Sequence, residues 1–498
     1  MQHGYNLLVV SDLHLGEGWD PETARTSRLE DFFRDDAFAR FLRYHEGIRD
    51  QPRFGGRPWL LILNGDIFDF LQVISLPKEG PPLQRVKGVT HLDELCADER
   101  AHGLGTTPKE SAWKLTQIAR GHQRFFAALG SFLAHDNQVA VVRGNHDVDL
   151  HWERVRACFV EETFQAYERQ RQQEGVGPQI TLYGCRDRIR FYPWFYHELE
   201  RVYVEHGGQY DVTNHFSDFQ NPVSPNDPGR IDLPWGSLFV RYLFNKVEDV
   251  HPFADNVKPL TRYLSWAFRT DPIRALEILF ERSGVFLRAF WIAARKAASA
   301  LRPRVQSAPS CDEMESLPAQ VTRQIDSLAR RQVGTAWQTW VATVIRALIS
   351  LLTLLIMGVF IALAATTLAL QRGPQTVALF HLAMAALTGL LGRGLQRALS
   401  RLLERHDLLE AAGELEQILR SAGGVQYVVM GHNHQPAVEP LNGAWYVNTG
   451  AWVPVYQKEG PVEGREALTF FRLAWGYRGT PELLRWDDAA GAPTKMIL

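Results

Sequence analysis

Several short apolar runs of this sequence end in histidine, aspartate or asparagine. Residues 7–10, 59–63 and 139–142 form three such runs, and residues 202–204 and 425–430 form two more. The polar residues that follow these runs are Asp12, His14, Asp66, Asn145, His206, His432 and His434. Carboxylate, imidazole and amide oxygen without thiolate suit Mn²⁺, Fe or Zn²⁺ rather than a structural zinc–cysteine site.

The position of these side chains favours one shared site. A single histidine or aspartate at a strand end is usually a cap or a hydrogen-bonding core residue. Buried strands of an α/β sheet read as apolar runs, and ligands gather at their carboxyl ends. Because five runs all end in metal-type ligands, we expect these side chains to converge on a metal centre.

The elements that must position the site form an α/β pattern. Apolar residues at helical spacing predict a helix over residues 111–134, and a charged amphipathic pattern predicts another over residues 399–419. Later in the chain, strands are predicted at residues 188–192, 201–204, 425–430, 445–447 and 467–471.

The composition limits the partners and the compartment. The formal net charge is −2 and the pI is near 6.8, so no global basic field favours nucleic acid. Four cysteines are scattered without a C-x-x-C pair, which suits a reducing compartment. The N-terminus has neither a basic segment nor an apolar segment of signal-peptide length, so we expect no signal peptide.

Five motifs follow one another in a fixed order along the chain. They are Asp12-Leu13-His14, Gly65-Asp66-Ile67-Phe68-Asp69, Gly144-Asn145-His146-Asp147, His206-Gly207 and Gly431-His432-Asn433-His434. This order resembles that of the calcineurin-like metallophosphoesterases over residues 1–215 and 420–475. The resemblance implies a four-layer α/β/β/α metallophosphoesterase sandwich with a di-metal centre at one edge.

The resemblance also assigns roles to the ligands. It implies that Asp12, His14 and His434 bind one divalent metal ion and that Asp66 bridges to the second. The second ion would be held by Asn145, His206 and His432. We expect manganese, with iron or zinc as alternatives; such a pair clamps phosphate oxygens and activates a water molecule.

Neighbours of the ligands are expected to assist catalysis. His146 would protonate the leaving oxygen or stabilise charge, and by family analogy Asp69 would orient its imidazole; the alternative for His146 is a structural role. Asp147 is expected to fix its loop by hydrogen bonding. Gly207 and Gly208 would let the backbone pass close to the metals.

Two positions narrow the class of substrate. Protein Ser/Thr phosphatases of this superfamily carry an arginine where this chain has Phe70, which disfavours a phosphoprotein substrate. The UDP-diacylglucosamine hydrolases of lipid A synthesis are similar in motif order, but many of them have arginine in place of His146. The imidazole suits a leaving group that needs protonation, and a lipid-like substrate remains a hypothesis.

A long insert separates His206 from His432, and its first part is basic and aromatic. Residues 262–304 hold eight arginines and one lysine against three acids. The residues expected to contact anionic headgroups are Trp266, Phe286, Phe290, Trp291, Arg269, Arg288 and Arg295. The alternative is a solvated basic face of an ordinary helical cap.

The second part of the insert contains two uncharged segments. Residues 347–371 and 375–392 flank an Arg-Gly-Pro turn, and a bilayer-spanning helix needs ~20 apolar residues. The pattern predicts a transmembrane hairpin, and arginines at its open end place the catalytic halves in the cytoplasm. The alternative is a buried helical hairpin in a soluble insert or a dimer interface.

The sequence therefore predicts four regions and a function. Residues 1–215 and 421–498 would form the metallophosphoesterase domain, residues 216–318 a basic, aromatic-rich helical insert with a linker, and residues 319–420 a helical region with the hairpin. The leading hypothesis is a membrane-anchored phosphoesterase facing the cytoplasm and acting on a phospholipid or lipid-linked ester. The alternatives are a tethered phosphoesterase of a soluble nucleotide or other small phosphoester and a non-catalytic membrane scaffold or sensor.

Overall fold

The computed structural model describes residues 4–211, 213–245, 317–369, 375–402, 408–455 and 465–496. Its strands are β1 Asn6–Val10, β2 Trp19–Asp20, β3 Arg25–Thr26, β4 Trp59–Asn64, β5 Gln138–Val142, β6 Ile189–Tyr192, β7 Phe195–Glu198, β8 Val202–Glu205, β9 Val223–Ser224, β10 Asp227–Ile231, β11 Tyr427–Met430, β12 Ala437–Pro440, β13 Trp445–Asn448, β14 Pro454–Val455, β15 Arg465–Glu466, β16 Thr469–Leu473, β17 Glu482–Asp487 and β18 Ala492–Lys495.

The helices of the described residues complete the element order. The α-helices are α1 Asp35–Ile48, α2 Pro81–Lys87, α3 Ala97–His102, α4 Pro108–Gly121, α5 Gln123–Ala134, α6 Glu153–Gln173, α7 Leu182–Arg188, α8 Trp235–Phe239, α9 Ala319–Ala369, α10 Gln375–Leu402 and α11 Leu408–Arg420. Short 3-10 helices lie at Leu92–Glu94, Val148–His151 and Gly208–Tyr210, and a π-helical turn lies at Val240–Phe244.

Two large sheets carry the predicted site residues. The seven-stranded sheet has the order β18-β17-β16-β1-β4-β5-β6, in which β1, β4, β5 and β6 are parallel. The five-stranded sheet has the order β12-β13-β11-β8-β7, in which β8, β11 and β13 are parallel. The polar residues singled out in the sequence follow β1, β4, β5, β8 and β11, all of which belong to these parallel groups.

The sheets face each other across an apolar core. Alternate residues of β1 and β4, among them Val9 and Ile62, pack with Val204 of β8 and Val429 of β11. The opposite face of the seven-stranded sheet packs against α1, α4, α5 and α6, because every second residue of a strand points to the other face. The α/β fold with two sheets predicted from the sequence is confirmed in this form.

One helix prediction is corrected. The stretch 111–134 forms two helices, α4 and α5, because Gly121 packs against the backbone of Glu17, where a Cβ would not fit, and the chain leaves helical geometry at His122. Of the predicted helix 399–419, residues 399–402 lie in α10 and residues 408–419 lie in α11, and residues 403–407 lie outside the described residues.

The chain divides into two compact units. The larger contains Met1–Gln209, Thr213–Ile325 and Ala412–Leu498, and the smaller contains Tyr210–Val212 and Asp326–Ala411. The smaller unit holds most of α9 and all of α10, so the described parts of both predicted spans are helical. Among the described residues one helical segment, Val377–Gly394, is long and apolar enough to cross a membrane, and Ile356–Leu368 is a shorter apolar segment.

Other parts of the insert lie outside the described residues. These parts include the predicted turn at residues 372–374 and the basic aromatic residues Trp266, Phe286, Phe290, Trp291, Arg269, Arg288 and Arg295.

His122 forms a buried ion pair where α4 meets α5. Its Nε2 lies 3.2 Å from the Glu30 carboxylate and its Nδ1 lies 3.1 Å from that of Asp35. Glu30 also accepts hydrogen bonds from the backbone N–H groups of Gly16 and Gly18. Burial alone would lower the pKa of His122, but the two carboxylates raise it to about 10.

We predict that His122→Ala lowers the free energy of unfolding by roughly 3–5 kcal/mol near neutral pH, because it leaves a buried carboxylate unpaired. A histidine pKa raised on folding stabilises the protein fully below the unfolded value of 6.5, and this stabilisation is lost as the pH rises through about 10. Thermal unfolding midpoints of wild type and variant should therefore converge between pH 6.5 and 10. The matched control is His135→Ala, which removes an exposed imidazole. A constant difference across this pH range would contradict the prediction.

Candidate metal centre

The loops after β1 and β4 are joined by backbone hydrogen bonds. The N–H of Asp12 donates to the Gly65 carbonyl at 3.1 Å, and the N–H groups of Leu13 and His14 donate to the Asp66 carbonyl at 3.0 and 2.9 Å. These bonds bring the first two motifs side by side at the carboxyl ends of neighbouring parallel strands.

The backbone at the site adopts a conformation that L-residues rarely occupy. Nine described non-glycine residues have positive φ, and five of these are predicted ligands. These five are Asp12, His14, Asp66, His432 and His434, with φ between 49° and 71°. Such strain persists only where the surrounding structure enforces it, and it concentrates at functional sites.

The first ligand cluster contains Asp12, His14 and His434. The Oδ1 atom of Asp12 lies 3.2 Å from Nε2 of His434 and 4.0 Å from Nε2 of His14. The two imidazole Nε2 atoms are 3.3 Å apart. All three side chains are buried, and their ligand atoms lie within 4.8 Å of one another.

The second cluster contains Asp66, His206 and His432, with Asn145 beside it. The Nε2 atom of His206 lies 3.0 Å from Oδ2 of Asp66 and 3.1 Å from Oδ1 of Asn145. The ring centroids of His206 and His432 are 5.2 Å apart. The structure therefore brings together all seven side chains predicted as ligands, in the two groups that the resemblance implied.

The carboxylates of both clusters accept backbone hydrogen bonds and fit metal ions. Asp12 accepts a hydrogen bond from the His432 N–H at 3.0 Å, and Asp66 accepts one from the His146 N–H at 2.8 Å. The second oxygen of each aspartate is buried, accepts no hydrogen bond from the described residues and faces an imidazole nitrogen. Buried, unsatisfied carboxylate oxygens that converge with imidazoles are the donor set that a divalent cation completes.

Close backbone approach requires glycine at this site. A Cβ on Gly65, whose φ is 74°, would lie 2.6 Å from the His206 ring, and a Cβ on Gly208 would lie 2.7 Å from Oδ1 of Asn145. The close passage expected at Gly208 is present.

His146 and Asp69 form a hydrogen-bonded pair beside the first cluster. The Nδ1 atom of His146 lies 2.6 Å from Oδ2 of Asp69, whose Oδ1 accepts the N–H groups of Leu71 and Gln72 at 2.9 and 3.1 Å. The His146 and His14 rings meet edge to face at 4.7 Å. His146 is 8% exposed, more than any other predicted site residue.

The buried charges of the site compensate one another. Burial alone would raise the pKa of Asp69, but the imidazoles of His146 and His14 outweigh it and hold the pKa below its usual value. The pKa values of Asp12 and Asp66 are lowered against burial in the same way, chiefly by His434 and His206 respectively. The aspartates are therefore ionised, as metal ligands must be.

Asp147 supports the loop, as expected from the sequence. Its carboxylate accepts the N–H of Gly144 at 2.6 Å and that of Ile67 at 2.8 Å, so it joins the loops after β4 and β5. Burial and the nearby charge of Asp66 raise the pKa of Asp147 to about 7.

Sequence reasoning missed several residues that orient the ligands. The carbonyl of Asn64 accepts a hydrogen bond from Nδ1 of His206 at 3.1 Å, which directs Nε2 to the site. The side chain of Asn448 donates to the Gly431 carbonyl at 2.8 Å, and Ser11 bonds Thr449 at 2.6 Å. These polar residues also lie at strand ends, which is the signal that could have found them.

Comparison with known families agrees with this geometry. The family model described as "Calcineurin-like phosphoesterase" matches residues 5–286. The chain belongs to the calcineurin-like phosphoesterase family. It is therefore a hydrolase that acts on phosphate esters, and its histidine and aspartate clusters suit the divalent metals that this family typically binds. A search of curated proteins found no match.

We predict that Asp66→Asn lowers both metal content and phosphoesterase activity. Loss of residues that merely orient ligands costs ~10–100-fold in metal affinity or activity, so loss of Asp66 as a predicted ligand should cost at least about 100-fold. Elemental analysis of the dialysed protein and initial rates measure the two effects. Asp136→Asn is the matched control, because the Asp136 side chain is 79% exposed. Wild-type metal content in Asp66→Asn would refute the role of Asp66.

Proposed function

We propose that this phosphoesterase hydrolyses its substrate with two divalent metal ions bound side by side. Asp12, His14 and His434 would hold one ion, Asp66 would be shared, and the second ion would be held by Asn145, His206 and His432. The observation that carries the proposal is the convergence of two buried ligand clusters whose loops are bonded together: Asp12 accepts the His432 N–H, and the Asp66 carbonyl accepts the N–H groups of Leu13 and His14. The donor set favours manganese, with iron or zinc as alternatives.

Two bound ions supply Lewis-acid polarisation of the phosphate and a water that loses its proton near neutral pH. The protein's own residues position the loops and transfer the proton. Asp12 and Asp66 keep the site anionic and fix the loops that carry the imidazoles. His146, held through Nδ1 by Asp69, donates a proton from Nε2 to the departing oxygen, and the Asp69 carboxylate stabilises the imidazolium.

We predict that His146→Ala lowers kcat by ~10²–10⁴-fold, the range expected for loss of a general acid, while metal content is retained. The loss should be larger for phenyl phosphate than for 4-nitrophenyl phosphate, because 4-nitrophenolate leaves without protonation. Steady-state rates on both esters measure this difference. Unchanged turnover in the variant would instead support a structural role for His146.

The membrane part of the proposal is supported by the arrangement of α9 and α10. Small residues of α10 lie against α9. A Cβ on Gly392 would meet Thr353 of α9, and one on Gly389 would lie 3.2 Å from Met357 of α9. Large apolar residues point outward instead, with exposed fractions of 60–66%. They include Leu379, Phe380, Leu390 and Leu391.

This arrangement suits lipid better than water. Soluble proteins rarely expose contiguous apolar surfaces of this kind, whereas membrane helices pack through small residues and turn large apolar ones outward. We propose a transmembrane hairpin that anchors the enzyme with its catalytic domain in the cytoplasm. A partner that covers the same surface in a soluble assembly is the alternative.

A phospholipid or lipid-linked ester is the substrate we propose. The insert lies between ligand His206 and ligand His432 in the sequence, so the proposed bilayer anchor is connected through the chain to ligands on both of its sides. A soluble nucleotide or other small phosphoester, with the hairpin as a tether, is the second candidate. A non-catalytic scaffold or sensor is disfavoured, because every predicted ligand is present at the site.

The substrate classes separate in a hydrolysis panel with Mn²⁺ in detergent. Mono-, di- and pyrophosphate esters are compared, each as a soluble and as a lipid-linked compound of the same headgroup. A higher kcat/KM for the lipid-linked member supports the proposal. Equal values favour the tethered enzyme, and no hydrolysis of any ester by metal-loaded protein favours the scaffold.

We predict that deletion of residues 347–392 moves the protein from the membrane fraction to the soluble fraction. The deletion removes the apolar helices and leaves the residues of the metal centre in the chain. Fractionation of cell extracts measures the change, and hydrolysis of 4-nitrophenyl phosphate reports whether the catalytic unit is intact. An active deletion variant that stays in the membrane would contradict the hairpin as the anchor.

A further inference from the structure

Helix α4 has several buried polar side chains, among them Ser111 and Lys114. Ser111 and Lys114 are 0% and 1% exposed and lie one turn apart, where helical residues are neighbours. The Lys114 Nζ donates a hydrogen bond to the Phe70 carbonyl at 3.1 Å, and the Ser111 hydroxyl donates to the Asp149 carboxylate.

The two partners belong to the loops that carry the catalytic pair. Phe70 directly follows Asp69, and Asp149 lies three residues after His146. One face of α4 therefore contacts both loops, and the pair itself is closed by the 2.6 Å bond from His146 to Asp69.

The full burial of the Lys114 ammonium group is unusual for a lysine. Lysine is almost never fully buried unless it is paired, because removing its charge from water is costly. Burial and the charge of Arg241 lower the pKa of Lys114 to about 8, and Asp149, Glu110 and Asp69 oppose this. An apolar side chain could fill the same space, but it could not donate a hydrogen bond to the Phe70 carbonyl.

We propose that Lys114 and Ser111 are positioning residues that hold the Asp69 and His146 loops in register for proton transfer to the leaving group. The inference rests on the proposed role of His146. It assigns the positioning of the His146 and Asp69 loops to α4, a helix that carries none of the predicted ligands.

The test compares two esters that differ in their leaving group. In Lys114→Met, which keeps the aliphatic stem, the rate on phenyl phosphate should fall ~10-fold more than the rate on 4-nitrophenyl phosphate, because only the former needs general-acid catalysis. Ser111→Ala should show the same selectivity to a smaller extent. Metal content should stay at the wild-type level in both variants.

The controls separate positioning from general destabilisation. Lys109→Met changes an exposed lysine of the same helix and should leave both rates unchanged. Adding Lys114→Met to His146→Ala should cause no further selective loss. If Lys114→Met does not fold, the ratio of the two rates in Ser111→Ala decides.

The outcomes are distinct. Equal losses on the two esters in Lys114→Met or Ser111→Ala, with a selective loss in His146→Ala, would overturn this inference and leave the proposed function standing. A non-selective loss in His146→Ala would overturn the role of His146 and this inference together.

Discussion

The structure of the site depends on Asp66 more than on any other residue. Its carbonyl accepts the N–H groups of Leu13 and His14, so the loops after β1 and β4 are bonded together. One carboxylate oxygen accepts the His146 N–H from the loop after β5, and the other faces His206 from the loop after β8. Four strand ends thus meet at one residue, and the two sheets that supply them are fixed relative to each other there.

The surrounding fold stabilises the strained backbone conformations of the predicted ligands. Asp66 and four further predicted ligands have left-handed backbone conformations, which cost free energy for L-residues. The strands before Asp12, His14 and Asp66 are buried in apolar cores on both faces of the seven-stranded sheet, and β11, which precedes His432 and His434, packs in the core between the two sheets. A rigid sheet whose strands cannot slide without exposing apolar residues can hold its end loops in strained conformations.

Charge balance is the second constraint on the site. The ionised carboxylates of Asp12, Asp66 and Asp69 are fully buried and are compensated by imidazoles. In return Asp66 and Asp12 raise the pKa of His206 to about 9, against the effect of burial. A divalent cation would supply positive charge to the same carboxylates in place of this proton, so the features that stabilise the folded site also favour metal binding.

The sequence by itself determined which metal-type side chains gather at one site and which strands end at them, because buried parallel strands and metal ligands both have local signatures. It also indicated the resemblance, which the family match confirms. Local pattern could not place the break between α4 and α5, since the cause lies in contacts of Gly121 with Glu17 and of His122 with Glu30 and Asp35, all distant in the chain.

Only the tertiary structure decided how the site is held. Asn64, Asn448, Ser111 and Lys114 carry no motif, and their roles follow from hydrogen bonds to segments far away in sequence. A ligand is recognisable from its residue type, because few side chains bind metals. A supporting residue is recognisable only from its partner, because almost any polar side chain can donate or accept a hydrogen bond, and the fold alone brings the two together.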